Sequence, residues 1–422
     1  LTVRPLARGV QAVPDGNTAT VTLPAPGAYT VEADGYHQAL HVFFDPIRDF
    51  PAVAQGKAHI LSFGPGVHEI GCMDLESDTA VLIDRDAYLY GNFRAVCAEN
   101  IDIFGYGVID GSREVRTDES RLLLNDYTAP LPADRENILR RLKQRHVLDG
   151  ILRFYRCRHI RVEGPTLRDA ATFAVIPAGC EDVTLENLKT IGMWRYNADG
   201  IDLFNCRDVR IRNCFLRNFD DCVVIKGIVG WDTADNADIL VEGCVVWCDW
   251  GRNLELGAET NAPAFRNILF RNCDCIHGST AFLDIQHHNR ADIGQVTFED
   301  IRVEYTKHQL PDVFQNDMDA PYPTDTPVRH PLLFCLPIYR SGLFAEDGLN
   351  GRIHDITFRN IRILTDAPEV PVPESAFLGL DAEHTVERIC IAGVTCNGKR
   401  LATREELRLH INEFVRDVTI LP

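Results

Sequence analysis

From Ile101 onward the chain repeats one short arrangement of positions: a polar pair, an aliphatic residue, a variable residue and a second apolar residue. It recurs as ENIDIFG, RHIRVEG, EDVTLEN, RDVRIRN, ADILVEG, RNILFRN, GQVTFED, HDITFRN and ERICIAG. The aliphatic anchors are Ile101, Ile160, Val183, Val209, Ile239, Ile268, Val296, Ile356 and Ile389, spaced by roughly 23 to 33 residues with two steps near double that. Apolar residues alternating at period two predict strands, and strands at this period with no helix in each repeat predict an all-β parallel β-helix rather than a βαβ sheet. Asn187, Asn213, Asn272 and Asn360 each fall four residues after an anchor. A stacked asparagine ladder and the ordinary turn preference of Asn both account for that position.

The two double steps mark insertions near residues 111–150 and 306–351. In the first, PADRENILRRLKQ predicts a short helix starting near Asp134; the second is rich in Pro and Asp, with Tyr305, Tyr322, Phe334 and Tyr339 in or beside it. Long loops of this kind are expected to wall a cleft, and a subunit contact would explain them as well. Near the C-terminus TREELRLHI predicts a helix covering the last coil. Residues 1–52 lack the repeat: NTATVTLP, GAYTVEAD and ALHVFFDP alternate apolar and polar residues between Pro24, Pro26, Gly27, Asp34 and Gly35. That predicts a small antiparallel β-sandwich, with Pro46 and Pro51 bracketing a linker to a β-helix domain over 53–422.

Asp plus Glu outnumber Lys plus Arg by 61 to 43, a formal charge of −18, and no basic stripe is visible, so nucleic acid is excluded as a partner class. The same balance weakly disfavours a strongly anionic polysaccharide. No apolar run approaches the ~20 residues of a membrane span, and no signal-peptide pattern follows Leu1, which leaves removal of an upstream segment open. The 14 cysteines are too thinly spread for a small disulfide scaffold. Cys157, Cys180 and Cys206 each precede an anchor by three residues, and Cys214, Cys244 and Cys273 each follow one by five, a placement that suits reduced, inward-stacked thiols. Cytoplasm is therefore expected over secretion. The spacing of Cys244, Cys248, Cys273 and Cys275 does not make a zinc site.

The chemistry is concentrated in NADGID and FDDCVVIKG. Asp199 stands about one repeat before Asp220 and Asp221, so the three lie on neighbouring rungs, which stack about 4.8 Å apart. Adjacent strand residues point to opposite faces, but at a bend both can face one cleft. Glycosidic hydrolysis needs a protonated acid and a carboxylate that activates water, roughly 6.5 to 9.5 Å apart when the product is inverted. Crowded like charge would keep one of the three protonated. No GxSxG, Walker loop or HExxH run competes.

With these motifs on VEGC and FRNI rungs, the chain after residue 58 resembles the polygalacturonase family of glycoside hydrolases. The N-terminal segment running into ALHVFFDPI resembles the related dextranase and isopullulanase family of the same right-handed pectin-lyase-like fold. The resemblance implies Asp220 as general acid, Asp199 and Asp221 as the pair holding and deprotonating water, single displacement with inversion, and no metal or other cofactor. Asp202 and Lys226 belong to the same motifs, with structural roles expected.

Two departures matter. Arg252 in GRNLELG stands where the family has a histidine, and Asp284 and Gln286 in LDIQ stand where it has two cations that clamp a uronate. Loss of those cations argues for a neutral sugar. Arg252, Glu259, Asp284, Gln286, His287 and His288 are candidate sugar ligands, and Trp194, with Tyr196, Trp247 and Trp250, is a candidate for stacking on a sugar ring. The expected partner is a carbohydrate, with homo-oligomerisation left open. Polygalacturonase-type action on a uronate polymer is the alternative, as is a lyase using calcium and Arg252 as base, or a non-catalytic carbohydrate-binding solenoid.

Overall fold

Every anchor of the repeat falls in one line across a single parallel sheet. In the computed structural model, which describes residues 1–422 apart from 34, 37, 115–149, 230–232, 307–327, 343, 345–346 and 368, Ile101 pairs with Ile160, Ile160 with Val183 and Val183 with Val209. The line continues through Ile239, Ile268, Val296, Ile356, Ile389 and Val418. Two residues further along each strand a second line points into the same core, and at Phe270, Phe298 and Phe358 the rings stack at 4.8 and 5.3 Å. This sheet has 12 strands, from His59–Phe63 to Val415–Leu421. Two further columns of parallel strands close the coil, joined at the start by the long strands Gly66–Leu75 and Ala87–Val96. The interior is one continuous apolar cluster from Leu75 to Leu409. The protein is thus an all-β, right-handed parallel β-helix carrying a small N-terminal β-sandwich.

The polar residues of the repeat have a backbone cause. The residue before each anchor, from Asn100 through Asp182, Asp238 and Asp355 to Asp417, has φ between 51° and 63°. Asn187, Asn213, Asn272 and Asn360, four after their anchors, have φ of 53° to 56°. Asn and Asp tolerate the left-handed region better than other residues with a Cβ, and Gly243 and Gly393 take the same corner elsewhere. The asparagines are therefore corner residues rather than a ladder: the Asn360 amide donates to Asp300, and the Asn187 amide to Asp45.

Thiols line the interior as expected. All 14 cysteines are unbridged, and nine of them, Cys157 through Cys275, are buried; the Cys157 N–H donates to Cys180 Sγ at 3.4 Å. TREELRLHI is not a helix: its first residues make turns and Leu409–Ile411 is a strand that pairs with Ser375–Leu378. A further strand on the coil outweighs the local helical preference. The helix expected near Asp134 and Tyr322 of the second insertion lie outside the described residues. Among the described residues no helix is long and apolar enough to cross a membrane.

At the N-terminus, strands Thr2–Arg4, Gly27–Glu32 and Ala39–Phe44 form an antiparallel sheet, beside the hairpin Ala12–Asp15 with Thr18–Val21. The short helix Phe50–Val53 follows, at the expected linker. The sandwich is bolted to the flank of the coil: Arg4 bridges Glu32 at 2.8 Å and Glu304 at 2.5 Å, all three buried. Phe43 and His41 pack on Phe215, and His41 and His277 on Trp247. Trp247, a candidate for sugar stacking, is fully buried there and faces the sandwich.

Candidate active site

The strand Phe215–Asn218 ends just before Asp220, and Val223–Gly227 begins just after Asp221. The pair therefore sits in a corner between strands, where the alternation of faces lapses. Asp199 lies in the matching corner of the preceding rung, before Ile201–Phe204. The rungs are tied there by Gly200 N–H donating to Asp221 O at 2.8 Å and Asp220 N–H to Ala198 O at 3.4 Å. On the following rung Gly251 N–H donates to Phe219 O at 3.3 Å. A Cβ on Gly251 would run into both Asp220 Oδ1 and Asp221 Oδ1, so the two carboxylates converge on one point that only glycine leaves open.

All three aspartates are deeply placed: Asp199, Asp220 and Asp221 are 1 %, 4 % and 6 % exposed. Burial, opposed by Lys226 and helped by Asp221, pushes Asp199 up to about 7. Burial, then the charges of Asp221 and Asp199, pushes Asp220 well above the carboxylate range, a direction that favours its protonated form. Asn197 Nδ2 reaches Asp220 Oδ2 at 3.5 Å, and Asp221 Oδ1 accepts the Arg252 N–H at 2.9 Å.

Two cations flank the trio, Lys226 buried and Arg252 partly exposed. Lys226 Nζ lies 3.0 Å from Asp199 Oδ2 and 2.7 Å from Asp202 Oδ1, so both motif residues brace the floor. Glu259, 7 % exposed, adds its charge to those that raise Lys226. On the other side the Arg252 guanidinium is 3.3 Å from Asp284 Oδ2, 3.9 Å from Glu255 Oε1 and 4.0 Å from Asp221 Oδ1. Burial, opposed by Arg252, moves Asp284 up to about 6.

The structure brings Asp284, Gln286 and His288 to one face: Gln286 Nε2 is 3.2 Å from His288 Nε2, whose ring stacks on Tyr339 at 4.5 Å. Burial first, then Arg252, holds His288 near 4, hence neutral. His287 does not belong with them. Strand alternation turns it to the opposite face, fully buried, with Nδ1 2.7 Å from Thr260 Oγ1, which corrects its reading as a sugar ligand. Trp194 is half-buried one rung toward the N-terminus, hydrogen-bonded to Asp169 and 5.7 Å from the Arg195 guanidinium. Trp250 packs on Phe219 at 5.8 Å and Tyr196 at 5.5 Å.

Glu255, Gly251, Asn197 and Tyr339 belong to the site or its rim without having been singled out as site residues, although Asn197 lies in NADGID and Gly251 and Glu255 in GRNLELG. A signal existed for Glu255. In IDL, VVI, LEL and LDI the flanking residues face the core and the middle one faces out, so Glu255 belongs in a column with Asp202, Val224 and Asp284. Among the described residues no group of His, Cys, Asp and Glu is arranged to hold a metal ion.

Residues 134–327 match the family model described as Glycosyl hydrolases family 28. No curated protein matches the chain in sequence. Among solved structures the chain is similar to an exopolygalacturonase of Thermotoga maritima (TM-score 0.57, 17 % identity, 86 % of this chain and 84 % of that one). It is similar to the polygalacturonase of Erwinia carotovora (TM-score 0.54, 14 % identity, 84 % and 89 %). Dex49A from Penicillium minioluteum aligns over 99 % of this chain and 78 % of its own (TM-score 0.64, 12 % identity). At these identities the structures speak for the fold, and the family match spans the rungs that hold the three aspartates, Lys226 and Arg252. Over residues 134–327, just under half of its length, the chain is thus similar to the glycosyl hydrolases of family 28, on a fold shared with polygalacturonases.

Proposed function

We propose that the protein hydrolyses a pectic, galacturonan-type polysaccharide by single displacement, with inversion at the anomeric carbon. Asp220 donates its proton to the leaving oxygen, while Asp199 and Asp221 hold a water on the opposite side and remove its proton. The observation that carries this reading is the convergence of Asp220 and Asp221 at Gly251, one rung from Asp199, with burial and then the neighbouring carboxylates shifting Asp220 toward its protonated form. Such an arrangement brings a proton donor and carboxylate bases to one bond, and the family match is what favours single displacement with inversion. The family match, and polygalacturonases among the structures of like fold, favour the galacturonan class over the neutral sugar expected from the sequence.

A neutral unit at the cleaved position is the second reading. Arg252 already faces Asp221, Glu255 and Asp284, which leaves little positive charge for a sugar carboxylate. Polygalacturonate and neutral α- and β-linked oligosaccharides, incubated separately and followed by proton NMR before mutarotation, decide between them. Release of galacturonic acid or its oligomers, first seen as the inverted anomer, is the expected result. Turnover of neutral oligosaccharides alone would favour the second reading, and a retained anomer would overturn the division of roles among the aspartates.

A further inference from the structure

We infer that Glu255 is a fourth working carboxyl of this site, a neutral acid whose O–H is donated to Asp221 and orients that carboxylate toward the water. This rests on the proposed role of Asp221 as a base. Glu255 lies on the strand Arg252–Thr260 between the core residues Leu254 and Leu256, so its side chain points out toward the site, yet it is 0 % exposed. Neither of its oxygens accepts a hydrogen bond from any described residue, and the nearest cation, Arg252 Nε, is 3.9 Å away. An ionised carboxylate so placed would keep its full desolvation cost with little return. A neutral carboxylic acid instead needs an acceptor for its proton, and Asp221 stands within reach.

The groups facing Glu255 point the same way. From the preceding rungs come Asp220, Asp221 and the Lys226 pair with Asp199 and Asp202; Arg252 is on its own strand; Asp284 follows in register, and Cys335 pairs beyond it. Among the described residues Arg252 is thus the one cation within 4.0 Å of Asp221, Glu255 and Asp284. Asp284 has the Arg252 guanidinium at ion-pair distance, 3.3 Å, and the Cys335 thiol beside it, and Asp221 accepts the Arg252 backbone N–H, so both have support for a negative charge. Glu255 has only the distant Arg252 Nε at 3.9 Å and no hydrogen-bond donor, and burial followed by the Asp221 charge holds it well above the glutamate range against Arg252. Glu255 is accordingly a positioning residue: it touches Asp221, not the sugar.

Two variants and one direct measurement test this. Glu255→Gln keeps an N–H donor toward Asp221, whereas Glu255→Leu removes the donor at similar size. A hydrogen bond to a charged group is worth about 1.5–3 kcal/mol, so Glu255→Leu is expected to lower kcat on the order of 10- to 100-fold, with KM little changed, and Glu255→Gln to recover most of that loss. A Gln variant as impaired as Leu, or a Leu variant with wild-type kcat, would overturn the inference. Independently of activity, and of whether the Leu variant folds, ¹³C NMR of glutamate-labelled wild-type protein reads the Glu255 carboxyl, assigned by its absence in Glu255→Gln. It should stay at the protonated shift through pH 7; titration near ordinary glutamate would sink the idea. If Asp221→Asn retains turnover while Glu255 reads as protonated, the fault lies in the role given to Asp221 and not in the state of Glu255.

Discussion

Lys226 and Arg252 stand on opposite sides of the same three aspartates, and they solve different problems. Lys226 is 5 % exposed and meets two carboxylates at 3.0 and 2.7 Å, a closed arrangement under the floor of the site. Arg252 is 23 % exposed and meets three carboxylates at 3.3 to 4.0 Å, a looser arrangement. A tight, buried pair fixes geometry and charge, while a partly exposed cation shared among three carboxylates at longer range is held less firmly by any one of them. The difference teaches that Lys226 is part of the closed packing beneath the three aspartates, while Arg252 is the cation of this cluster that keeps some contact with solvent.

The largest effect expected near this pair is on the group between them. Asp220→Asn removes the proton donor with almost no change in volume, and kcat should fall by about 10² to 10⁴-fold with an unchanged melting profile. A variant retaining more than about a tenth of wild-type kcat would remove Asp220 from the acid role and with it the reason for both cations.

Lys226→Met should break the comparison from the scaffold side. Removing one partner of a buried ion pair costs about 3–5 kcal/mol, read by chemical denaturation. The pH dependence has a definite sign. Lys226 holds Asp199 down, so without it Asp199 moves above about 7. Because Asp199 must be ionised to act, the ascending limb of kcat/KM should shift to higher pH. Stability behaves in the matching way: an aspartate whose folded pKa is raised holds a proton that the unfolded chain has released, so the variant should lose stability as pH rises from about 4 toward that pKa. An unmoved limb would mean that Lys226 does not govern Asp199.

Arg252→Gln sharpens the other side. Loss of charge-assisted hydrogen bonds worth about 1.5–3 kcal/mol should appear mainly in KM, on the order of 10- to 100-fold, with a smaller stability loss than for Lys226→Met. A kcat effect with constant KM would instead place Arg252 with the catalytic scaffold. The smallest effect belongs to the repeat itself: Ile239→Val on the anchor line should cost about 0.5–1.5 kcal/mol and leave both kinetic constants alone, as measured by melting and steady-state assays.

Much of this is legible in the order of residues alone. The anchors named along the repeat all lie in one register line because the interior of a coil selects an aliphatic side chain once per turn, and that selection is local. Asp199, Asp220 and Asp221 are legible for the same reason, since one coil of spacing becomes one rung of height. Glu255 is legible only through the shared apolar–x–apolar pattern of IDL, VVI, LEL and LDI, because each coil contains several strands and the outward column Asp202–Val224–Glu255–Asp284 has no repeated residue type to mark it. His287 is misplaced by sequence because the run QHH carries no label for which face each residue takes until the strand phase is known. TREELRLHI has helical preference, and the edge of the last coil overrides it.

The sequence by itself determined the coil, its core line and the stacking of three aspartates, because each follows from periodicity alone. Only the tertiary structure decided how the charges are divided: that Lys226 closes on Asp199 and Asp202, that Arg252 is shared among Asp221, Glu255 and Asp284, and that Trp247 lies under the sandwich. Those outcomes depend on which side chains of different rungs meet in low dielectric, where a difference of about an ångström in partner distance changes which carboxyl keeps its proton.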